Sequence, residues 1–346
     1  MGYVNGFCES DQIKSIISSD IIPEERSNNK PLSSTRIITR FYQGEIPYWN
    51  QFIKYHKQLG CKDFLVFVQE KSDLQWLERN TKATNINIET NLTSSSKNMH
   101  YDEQLKLANT SLITDNNNCK YQMLIDVDEF YIQSRKTLDA EKIFQIAGPE
   151  VDQIHLSSIL TLRLNQEHNL SQMQGTWGHV GRPIAKTEQI EKIQTTHSFK
   201  TKNSSSLPAG MLGLHVMHLW TRSFEDCLIK IFSRKLNDFK GAGLETSLKE
   251  IRSGELPRRL RLLAFLSLQD FYLKIVMHKD FNLHFERDRD YLDKFLSKND
   301  QITCRSLFEE YKFRLSGQIH NTLTYPSSNF PTIMKSLPTL NEMRNS

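Results

Sequence analysis

A chain of 346 residues can bury one large core, or one core with a smaller appendage. With 38% hydrophobic and 24% charged residues it reads as globular rather than disordered. A net charge of +4, from 44 basic and 40 acidic residues, is too small to mark a nucleic-acid-binding protein. Residues 1–34 are polar and read as a leader. They lack the charged-then-apolar layout of a signal peptide, and Gly6 stands where a myristoylation motif has Ser or Thr. No run reaches transmembrane length.

From Arg36 a rhythm begins. "RIITRFY" (36–42) predicts a strand, and Ile46, Trp49, Phe52, Ile53 and Leu59 follow at near-helical spacing, with Gly60 as the stop. "DFLVFV" (63–68) predicts a second strand, and Ser72 with Gln75 a capping box opening a helix to Arg79. "NINIE" (85–89) is a weaker strand, Leu105, Ala108 and Leu112 a third helical stripe, and "YQMLI" (121–125) a fourth strand. This alternation predicts an α/β fold, a mostly parallel sheet covered on both faces. Beyond Phe130 the rhythm loosens. Strands are expected over 151–164 and 210–220, a Ser223-capped helix to about Leu236, helices from 239 to about 313, and a flexible tail over 321–346. The predicted units are thus a domain over 35–238 and a helical extension over 239–320. Cys8, Cys61, Cys119, Cys227 and Cys304 form no CxxC pair and fit free thiols in a reducing compartment, so a cytoplasmic location is expected.

The fourth strand runs into "YQMLIDVDEFY", where Asp126, Asp128 and Glu129 crowd together. Such charges repel unless a cation or a proton is shared among them. Read as extended chain, the segment turns Asp126 and Asp128 to one side. Two carboxylates on one side suit Mg²⁺ or Mn²⁺, and the carboxyl end of a strand is where α/β sheets hold ligands. The competing reading is a solvated acidic turn. A haloacid-dehalogenase-like phosphatase also ends a strand in Asp-x-Asp. Its motif usually follows the first strand, however, with Thr or Val where Phe130 stands here. No Gly or spaced acceptors follow Glu129, as a calcium loop would require.

"IDVDEF" resembles the Asp-x-Asp motif of the GT-A glycosyltransferases, in particular the family-92-like and family-2-like group. "GEIPYWNQFIKYHKQLGCKDFLVF" is similar to that group's opening pattern through Glu45, Trp49, Tyr55, His56, Leu59 and Gly60. "HLWTRSFEDCLIK" resembles a later stretch through His218, Arg222, Ser223 and Lys230, and Lys186 and His197 have counterparts too. The likeness spans about residues 36–232. Gly44 replaces an expected Asn, and "VFVQEKSD" lacks an acidic-Asn pair near the base. The resemblance implies a GT-A-like α/β/α sandwich with a helical C-terminal extension. It also implies a metal-dependent glycosyltransferase using a nucleotide-diphosphate sugar, with a glycan or lipid-linked saccharide as acceptor. Asp126, Asp128 and His218 would hold Mn²⁺ or Mg²⁺, and Glu45, Lys186 and Arg222 the donor. The alternative is a degenerate member that binds without turnover.

Transfer also needs a base, for which Glu129, Asp226, Glu188 and Glu191 are candidates that the sequence does not rank. His56 and Trp49 lie on an apolar stripe and read as core, and alternation turns His215 away from His218. Trp177, in "GTWGHVGRP", is placed in a glycine-rich loop where it could stack on a sugar. The 256–277 segment reads either as a core helix or as a basic amphipathic helix giving peripheral membrane contact, through Arg258, Arg259 and Arg261.

Overall fold

The computed structural model describes residues 30–68, 71–81, 87–92, 119–133, 138–163, 172–208, 213–219, 224–232, 244–268, 273–276, 292–322 and 337–345. In chain order the first half comprises β1 (Thr35–Phe41), α1 (Ile46–Gln58), β2 (Asp63–Val68), α2 (Lys71–Thr81), β3 (Asn87–Leu92), β4 (Tyr121–Leu124), β5 (Glu129–Gln133) and α3 (Ala140–Ala147). The long strands β6 (Gln153–Arg163) and β7 (Gln172–Lys186) come next, followed by β8 (Ile190–Thr195), β9 (Ser198–Thr201), β10 (Ser206–Pro208) and β11 (Leu214–His218). The remainder is α4 (Phe224–Phe232), α5 (Leu244–Arg252), α6 (Arg258–Ser267), β12 (Leu273–Val276), α7 (Lys298–Thr322) and α8 (Leu340–Asn345).

The fold is α/β, with a mixed and largely parallel central sheet and helices at the C-terminal end. Its main path runs β3-β2-β1-β4-β7-β6-β11-β5. β1 to β4 are mutually parallel, β7 is antiparallel to both β4 and β6, and β11 is parallel to β6. Because β1, β2 and β3 step in one direction, right-handed crossovers put α1 and α2 on the same face. There Trp49, Phe52 and Ile53 pack with Ile37, Phe64, Val66 and Met123. The opposite face, with Ile38, Leu65, Phe67 and Leu124, is covered by Ile190, Ile193 and Phe199 of the β8–β9 hairpin rather than by a described helix. The helical stripe expected around Leu105–Leu112 lies outside the described residues.

α1 ends as its sequence predicts. Leu59 closes the last turn and Gly60 follows at φ +98°, a conformation open to glycine at little cost. His56 is fully buried. Its Nδ1 donates to Phe52 O at 2.9 Å, its Nε2 accepts from Tyr131 N at 3.3 Å, and the ring lies against Phe52, Tyr55 and Phe130. Burial pushes its pKa down to about 3. The folded state therefore keeps His56 neutral while the unfolded chain protonates near 6.5, so stability is lost as pH falls below 6.5 toward 3. The expected slope from this one group is about 1.4 kcal/mol per pH unit. In His56→Gln, denaturant titrations at pH 7, 6 and 5 should lack that one-proton dependence; an unaltered slope means that His56 is not its source.

Three boundaries differ from the sequence reading. The leader does not extend to residue 34: Leu32 is buried, its amide donates to Leu59 O, and Ser34 O accepts from Tyr121 N. α4 belongs to the second core, where Phe224, Leu228 and Phe232 pack with Leu260, Leu263, Phe308 and Tyr311, so that core begins at Phe224 and not at 239. Residues 337–345, assigned to a tail, are docked. Leu337, Leu340 and Met343 are buried, Glu255 caps α8 through the amides of Leu340 and Asn341, and Arg344 pairs with Glu310 at 2.7 Å. Leu340→Ala should cost about 2–3 kcal/mol in denaturant titration, the range for a buried leucine whose site partly relaxes; a change under about 0.5 kcal/mol means that the segment does not hold the core together.

The 256–277 segment is not one helix. α6 stops at Ser267, and β12 pairs with β7. Every residue from Arg259 to Leu266 is buried, so α6 has no apolar face to lay on a membrane. It is a core helix whose Arg261 donates to Leu337 O and Pro338 O. Among the described residues no helix is long and apolar enough to cross a membrane. Trp177 lies in strand β7, opposite Ile159, and not in a loop.

Candidate active site

The strand order reverses between β1 and β4: β2 and β3 lie to one side of β1 and β4 to the other. In open α/β sheets the crevice outside the carboxyl ends of the strands at such a reversal is where ligands sit. Arg40, near the end of β1, and Asp126, two residues past β4, meet across it with Arg40 Nε 3.3 Å from Asp126 Oδ1.

The acidic segment is a tight turn and not extended chain. Glu129 N donates to Asp126 O at 2.9 Å, so the alternation that would turn Asp126 and Asp128 to one side does not apply. From Leu124 to Glu129 this turn spans at most about 14 Å. In a flat sheet β4 and β5, four places apart in the order, would stand about 19 Å apart. The sheet must therefore curl, and the turn closes the curl. Glu129 then faces His218 as its direct cross-strand partner, with His218 Nδ1 3.3 Å from Glu129 Oε1 and Nε2 3.6 Å from Asp128 Oδ2.

Arg182 of β7 answers the repulsion among the carboxylates. Its Nη2 donates to Asp126 Oδ2 at 2.5 Å, its Nε to Glu129 Oε2 at 2.6 Å, and its Nη1 to Thr196 O, in the turn of the β8–β9 hairpin, at 2.5 Å. Burial raises the Asp126 carboxyl, but Arg182 and then Arg40 outweigh it and hold the group well below the usual carboxylate range. At Glu129 burial outweighs Arg182 and His218, and the pKa rises. His197 is pushed down to about 3 by burial and by Arg182, and stays neutral with Nδ1 3.2 Å from Gly181 O.

Of the candidate metal ligands, Asp128 and His218 face each other, while both Asp126 oxygens lie against guanidinium groups. Among the described residues no three His, Cys, Asp or Glu side chains gather as a metal site. A carboxylate beside an imidazole suits Mn²⁺, so the donor types fit, and Asp128 with His218 forms the pair that would hold it. Glu129 is poorly placed as a base: it is buried, one oxygen accepts from Asp126 N and Arg182, and the other faces His218. Asp226 accepts a 2.5 Å hydrogen bond from Tyr48 Oη, joining the first turns of α1 and α4, a tie between the two cores. Glu191 pairs with Lys200 at 2.5 Å on the hairpin. Lys186 is opposite Tyr121 at the amino end of β4, roughly 15 Å from Asp126 along the strand. There it donates to Pro149 O, and the exposed Glu188 follows at the same end. Lys186 is therefore not brought to the crevice. Glu45 is buried at the start of α1, four residues past the end of β1. Arg222 lies outside the described residues.

Sequence reasoning missed Arg40 and Arg182. For Arg40 the signal was a cation one residue from the carboxyl end of an apolar strand, the end where ligands bind. Arg182 carried none, because its partners are fixed by the curl of the sheet.

No protein-family profile matches the chain, and no curated protein matches it. Among solved structures, TarS 1–349 of S. aureus aligns over 85% of this chain and 93% of its own, at 10% identity and a TM-score of 0.31. A mycobacterial protein aligns over 51% and 57%, at 8% identity and TM-score 0.28. A putative glucose-1-phosphate thymidylyltransferase from Bacillus anthracis aligns over 64% and 84%, at 7% identity and TM-score 0.25. Scores this low do not establish a shared fold.

Proposed function

We propose that the chain is a metal-dependent glycosyltransferase of GT-A type, moving a sugar from a nucleotide-diphosphate donor to a glycan or lipid-linked saccharide. The observation that carries this is the acidic turn Asp126–Glu129 at the β1/β4 reversal, with cations on one side and Asp128 with His218 on the other. The resemblance of "IDVDEF" and "HLWTRS" to family motifs supports it. Asp128 and His218 would hold Mn²⁺, which supplies Lewis acidity toward the leaving diphosphate. Glu129 orients His218, and Arg182 fixes the turn. Arg222 contacts the donor.

The test is calorimetry of nucleoside diphosphates with and without Mn²⁺. Binding is expected to need the cation and to weaken by about ten- to a hundredfold in Asp128→Asn, the loss of one charge-assisted contact. Undiminished, metal-independent binding in Asp126→Asn/Asp128→Asn overturns the proposal. The neutralisation of Asp126 by two arginines favours a second reading, a fold of this type that binds without turnover. Slow release of free sugar from a nucleotide sugar with Mn²⁺ argues for the enzyme. Phosphate release from simple esters, abolished by Asp126→Asn, would argue for the phosphatase chemistry weighed from the sequence.

A further inference from the structure

We infer that the outward face of α7 is a self-association surface, on which a second copy of this chain docks in an antiparallel, two-fold arrangement. The inference does not rest on the proposed function.

α7 carries apolar side chains on two faces. Cys304, Leu307, Phe308, Tyr311 and Leu315 recur at helical spacing and are buried in the second core. Ile302 and Phe313 are on the other side of the helix, 68% and 80% exposed. At about 100° per residue they fall within about 20° of each other, nearly opposite the buried stripe and about 17 Å apart along the axis. Among the described residues only one other large apolar side chain is exposed, Ile146 on α3. Single exposed apolar residues are ordinary. Two aligned on one helix face, behind a buried stripe, are what a helix packed from both sides presents.

The charges on this face choose the occupant. Glu310 is held by Arg314 and Arg344, and Asp300 by Arg252, so these flanking carboxylates are neutralised within the chain. Arg305 and Glu309 stand beside the apolar pair, each roughly half exposed. Arg305 pairs with Glu225 and reaches Glu309 only at 4.0 Å. Arg305 comes one turn after Ile302, and Glu309 one turn before Phe313. An antiparallel two-fold axis level with Leu307 and Phe308 therefore sets Ile302 against the partner's Phe313 and Arg305 against the partner's Glu309, each contact made twice. The small Ser306 lies near the axis, where the two helices come closest. A parallel pairing would set Arg305 on the partner's Arg305 and Glu309 on the partner's Glu309, like charges in contact. The face is complementary to itself in one direction only. A face of about 30 Å of helix buries well under the roughly 800 Å² per partner of a standard interface, so the association belongs to the weak, transient class.

Sedimentation of the full chain from about 1 μM to about 500 μM reads this directly, over the range in which a small interface associates. The mean mass should rise with concentration from 40.4 kDa toward twice that value and no further. Phe313→Ser should weaken dimerisation at least about tenfold, because two-fold symmetry removes the side chain from two contacts. Glu309→Lys should weaken it as well, by turning a lysine toward the partner's Arg305, while Ile146→Ser leaves it unchanged. The altered side chains are exposed, so melting temperatures should stay close to that of the parent. A monomer at every concentration overturns the proposal, as does undiminished dimerisation in Phe313→Ser. Parent-like dimerisation in Glu309→Lys rejects the antiparallel pairing. Growth beyond a dimer, or equal weakening by Ile146→Ser, means general stickiness and overturns the proposal too. Phe313-dependent sedimentation of a monomeric chain with anionic phospholipid vesicles would give the face to a lipid surface instead.

Discussion

Arg182→Leu should lower the unfolding free energy by about 3–5 kcal/mol, the cost of stripping one partner from a buried ionic network. Asp126 and Glu129 would face each other across the turn without the guanidinium that each contacts within 2.6 Å, and Thr196 O would lose its donor. Arg182→Lys should recover only part of the loss. One ammonium is a compact charge and cannot reach both carboxylates and Thr196 O together. The double variant Arg182→Leu/Glu129→Gln should be more stable than Arg182→Leu alone, because it removes a buried charge that has lost its partner.

The same prediction carries a sign in pH. With Arg182 in place, the Asp126 carboxyl is held below its unfolded value, so its contribution is present above about pH 4 and lost as pH falls through the lowered folded value. Without Arg182, burial dominates and Asp126 and Glu129 take up protons more readily than in the unfolded chain. The deficit between variant and parent should therefore narrow as pH falls from 8 to 5. Denaturant titrations at those two values decide it. A pH-independent deficit below about 1 kcal/mol would mean that Arg182 acts as packing and not as a counter-ion.

What could be read from the sequence follows from how far apart the interacting residues lie. Gly60 as a helix stop, the apolar stripe Trp49–Phe52–Ile53 and the strands "DFLVFV" and "YQML" depend on neighbours within a few positions, and local periodicity carried them. His218 beside the acidic turn was also within reach, since both lie at the ends of apolar strands on the rim of the sheet. The arginines were not. The extended reading of "DVDE" treated its charges as an excess awaiting an external cation. Arg40 is 86 residues away and Arg182 56, and nothing periodic connects them. Lys186 shows the converse error. It sits four residues beyond Arg182 in the same strand, and the antiparallel run of β7 carries it to the wrong end of the sheet. Arg259 and Arg261 misled for a different reason: a basic helix end suggests solvent or a membrane, whereas here α6 packs in one core with residues of α4, α7 and α8, and Arg259 and Arg261 are buried with it.

Gly181→Ala should be as damaging as loss of Arg182 itself, at least about 3 kcal/mol, although it adds a single methyl group. β6 and β7 carry an irregularity between Leu156 and Ser158, and there the backbone of Gly181 runs against its neighbour. A Cβ at Gly181 would lie 1.8 Å from Leu156 O and 2.9 Å from its carbonyl carbon, far inside contact distance. Both atoms belong to the backbone of a paired strand, so no side-chain rotation relieves the overlap. The strands must part, and Arg182 on the next residue moves with them. The glycine-rich look of "GTWGHVGRP" thus reflects, at this position, a close approach of two backbones rather than a loop. Gly317→Ala is the control. It lies in helix α7 with nothing within 4 Å of an added Cβ, so alanine should be neutral or stabilise by up to about 1 kcal/mol. Thermal and denaturant melts of the two variants should separate widely. If Gly181→Ala melts within about 2 °C of the parent, the two strands can part without cost, and the support of Arg182 from below is not what holds the acidic turn in place.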